Sequence, residues 1–171
     1  MKEQTLRTVA IAVVVAIASF GFWGAVAHGQ AGGDAANAAP TDKAAYFGHG
    51  DIENIWKDLE AKQVINKRVL EGGKYSINIR IIKETSAPLI HATSADVWVM
   101  EEGSAIAVTG GTLLNQKKTN PAVDDISGSS IEGGKEQPFM PGDILYVPPG
   151  VPHGFKNIKG FRAYLIRFDV K

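Results

Sequence analysis

The chain has 171 residues, which is enough for one ordinary domain and a leader segment. Basic and acidic residues both number 18, so the formal net charge is zero, and this balance argues against a nucleic-acid partner, which needs a clustered basic surface. The chain has no cysteine, which excludes disulfides, thiol nucleophiles and cysteine-ligated metals.

The first 27 residues have the pattern of a secretory signal peptide. Lys2 and Arg7 lie at a positively charged start, residues 9–18 are apolar throughout, and small residues at 25 and 27 suit signal peptidase. We therefore predict cleavage after residue 27, export to the periplasm or the medium, and no stable membrane insertion afterwards. The alternative is an uncleaved anchor, because the apolar run is long enough to span a thin bilayer.

The next segment marks the start of a single folded domain. Residues 28–45 are rich in Ala and Gly, so they cannot bury enough surface to offset the entropy of ordering, and we predict a flexible linker there and one domain over 46–171. A helix is predicted over 51–62, with Asp51 as its N-cap. Its apolar stripe, which is expected to pack against the rest of the domain, comprises Ile52, Ile55, Trp56 and Leu59.

From residue 74 the apolar period changes to two, which is typical of β-strands. Further candidate strands, separated by turns rich in Gly and Pro, lie near 88–93, 95–101, 104–110, 136–140, 143–148, 153–158 and 161–169. Many short strands with little helix predict an all-β sandwich or barrel. The polar stretch 115–130 is predicted to be a loop at the barrel mouth.

Three arginines lie in the strand region. Arg80 follows the polar side of the first strand and is expected to face solvent; the alternative is that it faces inward and binds an anionic group of a substrate. Arg162 and Arg167 are assigned no role in a site. Arg162 and Arg167 are five residues apart in one strand, so they lie on opposite faces.

Residues 142–157 resemble the second signature of the cupin family, G-x5-P-x-G-x2-H-x3-N. The matching residues are Gly142, Pro148, Gly150, His153 and Asn157. Proline and glycine at these places suit the tight turns at strand ends. The resemblance implies a double-stranded β-helix, the jelly-roll barrel of cupins, with one short N-terminal helix.

The same resemblance implies that His153 is a metal ligand lining the barrel interior. Without it, a buried histidine that is hydrogen-bonded to a neighbour would be the simpler interpretation. Strand spacing puts Phe155 and Asn157 on the same face as His153, so both are expected to line the pocket.

The first cupin signature, H-x-H-x3,4-E-x6-G, has a partial counterpart at 89–103. Asp96 stands where Glu is usual and keeps its spacing to the following glycine. His91 fits the second histidine, whereas Leu89, which cannot bind a metal, stands in place of the first. The resemblance therefore leaves an incomplete metal site.

The remaining candidate ligands are His91, Asp96 and His153, a set that could hold Fe(II), Mn(II) or Zn(II). Residues five apart point to opposite faces of a straight strand, so His91 and Asp96 converge only if the chain bends between them, near residues 93–95. The alternative is that His91 is a rim residue and that the metal has been lost.

Two further features refine the resemblance. Trp98 and Met100 share a face with Asp96, so they either floor a ligand cavity or pack in the core. Residues 107–114 and 130–134 resemble stretches of exported, single-domain bacterial cupins of type 2.

Three hypotheses about function follow. The first is a metal-assisted oxygenase, isomerase or lyase that acts on a small molecule, with Asp96 as ligand or catalytic base. The second is a non-catalytic module that binds a small molecule without metal. The third is a structural subunit, and a homodimer is compatible with all three.

Overall fold

The computed structural model describes residues 37–120 and 123–170. Within these ranges the chain forms one helix, α1 (His49–Lys62), and eleven strands. The strands are β1 (Asn66–Glu71), β2 (Tyr75–Ile82), β3 (Leu89–Ile90), β4 (Ser94–Thr109), β5 (Thr112–Leu114), β6 (Lys117–Asn120), β7 (Val123–Ser127), β8 (Ser130–Glu132), β9 (Lys135–Phe139), β10 (Ile144–Val147) and β11 (His153–Asp169). The predicted all-β jelly roll with one N-terminal helix is confirmed.

The predicted signal peptide and the first part of the predicted linker, residues 28–36, lie outside the described residues. Within the described ranges, no helix has both the length and the apolar character needed to span a membrane. The last part of the linker meets the first strand, since the Ala39 N–H donates to the Glu71 carbonyl at 2.7 Å. The Asn37 amide likewise donates to the Arg68 carbonyl at 2.6 Å.

Two long strands, β4 and β11, form an antiparallel ribbon that organises the barrel. Near the C-terminal end of β11, the ribbon is extended by β2 and β1 on one side and by β10 on the other. Towards its other end it is extended by β3, β7 and β6 beside β11, and by β9 beside β4. The ribbon therefore contributes to both halves of the fold.

The ribbon bends where its register shifts, close to Gly103 and Gly160. Both glycines have positive φ angles, 86° and 57°. A Cβ atom on Gly103 would lie 2.3 Å from the carbonyl oxygens of Lys159 and Gly160. The absence of a side chain at residue 103 therefore permits the close approach of the two strands.

Asn157 lies at the same irregular part of β11 and corrects one prediction. Its φ angle is 54°, its side chain is exposed, and the register shifts just beyond it. The left-handed residue breaks the period of two, so Asn157 does not share the buried face of His153 and Phe155. The prediction that it faces the barrel interior is wrong.

Helix α1 begins two residues earlier than expected. Gly48 is the N-cap, and the Asp51 carboxylate accepts a hydrogen bond from the Gly48 N–H at 3.2 Å. Asp51 therefore stabilises the first turn from within the helix rather than as its N-cap. The predicted packing of the helix is confirmed by an apolar cluster that comprises Ile52, Trp56 and Leu59 of α1 with Val69, Ile79 and Ile81 of β1 and β2.

A second apolar cluster fills the barrel. Its larger members are Ile82, Trp98, Met100, Phe139, Phe155, Phe161 and Leu165. The inner face of β2 continues from this cluster into polar residues, namely Ser76, Asn78 and Arg80. The prediction that Arg80 faces solvent is wrong, because α1 covers the apolar face of β2 and the polar face is the one that points into the barrel.

The stretch 115–130 is not a loop. It contains the β6–β7 hairpin and the start of β8, and β7 also pairs with β3. Its polar composition did not predict strands; β6 lies at the edge of the larger sheet, where polar side chains are common.

Candidate metal centre

A bend between β3 and β4 brings two predicted ligands together. β3 ends at Ile90 and β4 begins at Ser94, so the chain turns at residues 91–93. As a result, the His91 Nε2 atom lies 3.6 Å from the Asp96 Oδ2 atom. The two side chains converge through a bend of the kind that their spacing calls for, and the bend lies slightly earlier than residues 93–95.

The turns of residues 142–157 position the third candidate ligand, His153. Gly142 and Gly150 have φ angles of 90° and 80°, as the predicted turns require, and the Gly150 N–H donates to the His91 carbonyl at 2.8 Å. After this turn, which follows Pro148, His153 begins β11. Its Nε2 atom lies 3.6 Å from the Asp96 Oδ2 atom.

The three side chains therefore meet at one point in the barrel. His91, Asp96 and His153 are 4%, 1% and 5% exposed, and one candidate ligand atom from each lies within 4.8 Å of the others. This buried group could hold a metal ion. Leu89 is the register partner of His153, so the residue that replaces the first cupin histidine borders the same site.

The contacts of the two imidazoles orient their Nε2 atoms as acceptors. His153 Nδ1 lies 3.0 Å from the Val151 carbonyl oxygen, which can only accept, so this nitrogen carries the proton. His91 Nδ1 lies 2.8 Å from the Asp125 carboxylate. Although that contact lacks straight hydrogen-bond geometry, a carboxylate at this distance favours a proton on Nδ1. Both Nε2 atoms are therefore unprotonated, and each lies 3.6 Å from Asp96 Oδ2.

Arg167 is the fourth member of the cluster. Its Nε donates to Asp96 Oδ1 at 2.6 Å, and its Nη2 donates to Asp96 Oδ2 at 2.8 Å, so the guanidinium binds the carboxylate with two parallel bonds. The same Nη2 lies 2.7 Å from His91 Nε2. The guanidinium thus contacts two of the three candidate ligands, and its side chain is still 19% exposed.

These contacts keep Asp96 ionised. Burial alone raises the pKa of Asp96, but the hydrogen bonds from Arg167 and the charge of its guanidinium outweigh this effect. The pKa of Asp96 therefore lies well below its usual value. Burial lowers the pKa of Arg167, whereas the bonds to Asp96 raise it, and the net shift is upward.

The predicted pocket residues are mostly part of the barrel core. Trp98, Met100 and Phe155 are all buried, and the rings of Trp98 and Phe155 meet edge-to-face at 5.1 Å. Trp98 and Met100 share the face of Asp96, as the spacing predicted. That these residues line a ligand pocket stays a prediction.

Sequence reasoning missed Arg167 and Asp125. Arg167 shares a strand face with Phe161 and Leu165, both of which are buried. This alternation of apolar residues was the signal that could have predicted an inward-facing Arg167. The expectation that Arg162 and Arg167 lie on opposite faces is confirmed, because Arg162 contacts Trp56 of the helix. Asp125 carried no usable signal, since it lies in the stretch predicted to be a loop.

No protein-family model matches the chain, and no curated protein matches it significantly. Among solved structures, a cupin-2 domain protein from Shewanella frigidimarina is 13% identical over 59% of this chain and 76% of its own, with a TM-score of 0.40. The protein BH2720 from Bacillus halodurans is 13% identical, and the match covers 78% of this chain and 86% of BH2720, with a TM-score of 0.49. Pac13 of Streptomyces, a nucleoside dehydratase, is 8% identical, with a TM-score of 0.41. The match covers 58% of this chain and 62% of Pac13, which is less than two thirds of that protein.

Proposed function

We propose that this cupin-type barrel binds one divalent transition metal between His91, Asp96 and His153 and uses it on a small molecule. The observation that carries the proposal is the convergence of two unprotonated Nε2 atoms on an ionised, buried carboxylate, each at 3.6 Å. Two histidines and one carboxylate suit Fe(II), Mn(II) or Zn(II) and leave coordination positions open. A metal held there would polarise a ligand oxygen or lower the pKa of a bound water.

The surroundings of the ligands support the same proposal. Histidines that bind metals usually donate their other ring N–H to a carboxylate or a backbone carbonyl, which fixes the tautomer. Asp125 and the Val151 carbonyl occupy those positions beside His91 and His153.

The electrostatics of Asp96 favour one of its two predicted roles. A general base works best when its pKa lies near the working pH. The pKa of Asp96 lies well below its usual value because Arg167 stabilises the carboxylate. We therefore assign Asp96 as a ligand, and the reaction class, whether oxygenase, isomerase or lyase, stays open to assay.

A second candidate function is a metal-free binding module. The observation that favours it is the guanidinium of Arg167, which already holds both oxygens of Asp96 and contacts His91. If Arg167 stays in this position, the cluster is a closed ion pair, and the barrel serves only to bind a small molecule.

Metal analysis separates the two functions. Protein purified without chelator is expected to contain one Fe, Mn or Zn per chain, and chelator-treated protein is expected to bind Zn(II) in a calorimetric titration. Replacing His91 or His153 by Ala removes a ligand and is expected to weaken binding by about 100-fold or more. His49→Ala, at the exposed start of α1, is the matched control and leaves the affinity unchanged. If the wild-type protein holds no metal and takes up none, the metal-binding function is wrong and the binding module remains.

Export and dimerisation also stay proposals. The charged and apolar pattern of the first 27 residues supports export, and N-terminal sequencing of the mature protein would detect the predicted cleavage. Ile144 and Tyr146 of β10 are 70% and 55% exposed on one face, which supports a dimer through that face. A sedimentation mass equal to a single chain would exclude the dimer.

A further inference from the structure

Arg80 is a cation inside the barrel without an anion. Its Nε atom is buried and has no hydrogen-bond partner in the described part of the chain. The nearby buried carboxylate, Asp96, has both oxygens bound by Arg167. Burying a charge without a partner is costly, so the position calls for an explanation beyond stability.

The position of Arg80 is set by the strand register. Ala163 of β11 is directly opposite Arg80, and Met100 of β4 is opposite Ala163, so the three form one row across the sheet. In the adjacent row, Leu165 is opposite Trp98. Because Ala163 carries only a methyl group, the long side chain of Arg80 can extend over it. The Arg80 Cζ atom reaches a point 5.6 Å from the centre of the Trp98 ring.

Trp98 adds a second unpaired donor at the same place. Its Nε1 atom is buried and lacks a hydrogen-bond partner among the described residues. Buried indole N–H groups usually find an acceptor. The side chains of Arg80 and Trp98 contact each other, and each has an N–H group available to an acceptor that enters the barrel.

An unpaired acceptor lies across the sheet from Arg80. Asn66 of β1 is its register partner on β2, and the Asn66 Oδ1 atom is buried without a partner in the described ranges. Residues directly opposite each other in an antiparallel pair share a face. Trp98 lies three strands away from Asn66, because β2 and β11 separate β1 from β4, so the donors of Arg80 and Trp98 stand apart from this acceptor.

The charge state of Arg80 fits the binding of an anion. Burial and the charge of Arg167 lower the pKa of Arg80 to about 10, against the opposing effect of Asp96. The guanidinium thus remains a cation at neutral pH. The residue as a whole is partly exposed, although its Nε is buried.

We propose that Arg80 and Trp98 bind the carboxylate of a small organic acid. A planar carboxylate matches the donor fork of a guanidinium and can also accept from the indole N–H. The inference deepens the proposed function, since it names the class of small molecule that the barrel takes. It rests on ligand binding in the barrel and does not require the metal.

The test uses chelator-treated protein and three probes, namely lactate, acetate and inorganic phosphate, with chloride at matched ionic strength as the blank. Lactate is expected to raise the melting temperature and to bind in calorimetry. Acetate, which has the same carboxylate, is expected to bind as well, and phosphate more weakly than either. No binding of lactate or acetate would overturn the proposal, and so would tighter binding of phosphate.

Two substitutions locate the site. Arg80→Met keeps much of the side-chain length and removes the charge, and it is expected to weaken lactate binding by at least about tenfold, the effect of losing one charged hydrogen bond. Trp98→Phe keeps an aromatic ring and removes the N–H, with a smaller loss expected. If Arg80→Met fails to fold, Trp98→Phe and Arg80→Lys test the same contacts. Lactate binding that is unchanged in the folded variants contradicts the assignment.

Arg162→Met is the matched control. Arg162 also lies over a tryptophan, with its Cζ atom 5.5 Å from the Trp56 ring, but its guanidinium is paired with Glu60 at 2.7 Å and with Glu102 at 3.0 Å. This variant is expected to be less stable than the wild type and to bind lactate normally. Arg80→Met is expected to behave in the opposite way, with no loss of stability and with loss of binding. A purely structural role of Arg80 would instead make both variants less stable and leave binding intact.

Discussion

Replacing Asp96 by Asn is expected to lower the free energy of unfolding of the metal-free protein by about 3 to 5 kcal/mol. The substitution keeps the shape of the side chain and removes its charge. Asp96 is 1% exposed and is bound by Arg167 through two hydrogen bonds. Without it, the guanidinium of Arg167 remains in the barrel with no anion of comparable burial, and Arg80 lies nearby with the same sign of charge. Urea denaturation with linear extrapolation measures the change.

A matched substitution at a surface ion pair provides a reference for the size of this change in the free energy of unfolding. Asp58 forms an ion pair with Lys62 at 2.8 Å on the surface of α1, where both side chains are more than half exposed. Asp58→Asn is therefore expected to cost less than about 1 kcal/mol. Replacing both partners of the buried pair by apolar residues, as in Asp96→Leu with Arg167→Met, is expected to recover much of the loss. A cost for Asp96→Asn as small as that for Asp58→Asn would contradict the role of the carboxylate as the counter-ion of Arg167.

Replacing Arg167 by Met is expected to tighten Zn(II) binding by roughly 10- to 100-fold. In the wild-type cluster the guanidinium donates to both oxygens of Asp96 and contacts His91 Nε2, so a metal must displace it. Hydrogen bonds to charged groups contribute about 1.5 to 3 kcal/mol, which corresponds to a factor of this size in affinity. Calorimetric titration of the chelator-treated proteins measures the ratio.

The same variant has an opposite effect on the metal-free protein. Without the guanidinium, Asp96 becomes a buried anion that lacks its main partner, so the melting temperature is expected to fall. Added Zn(II) then restores stability, because a ligand that binds only the folded state stabilises it in proportion to its affinity. Arg167→Lys, which keeps the positive charge, is the control and is expected to resemble the wild type. Weaker metal binding by Arg167→Met than by the wild type would mean that Arg167 orients the ligands rather than competes with the metal.

The parts of the site that could be predicted depend on local signals. The turn residues around Pro148 predicted how the chain enters β11, whereas the choice of His153 as a ligand came from the resemblance of residues 142–157 to the cupin signature. The five-residue spacing of His91 and Asp96 required a bend, and the structure has one at residues 91–93. These inferences needed only the chain within a few residues of each ligand.

The parts that could not be predicted depend on how elements pack. Both faces of β2 are covered, one by α1 and the other by the barrel core, so alternation could not tell which face is the interior. The apolar side was taken as the interior, and Arg80 was misplaced for that reason. Arg167 was missed because its partner Asp96 is 71 residues away in the chain. Asn157 was misplaced because a left-handed residue inside a strand leaves little trace in a hydrophobic pattern.

The bend of the β4–β11 ribbon at Gly103 has a consequence for folding. Asp96 pairs with Arg167 near one end of the ribbon, and His153 pairs with Thr109 near the other, yet Asp96 and His153 are in contact. The two ends meet only when the ribbon has curled back on itself, so barrel closure and site assembly are a single cooperative event. A metal bound in this cluster would hold the two ends of the ribbon together. Amide hydrogen exchange in the middle of β4, far from the metal ligands, is then expected to slow when the metal binds.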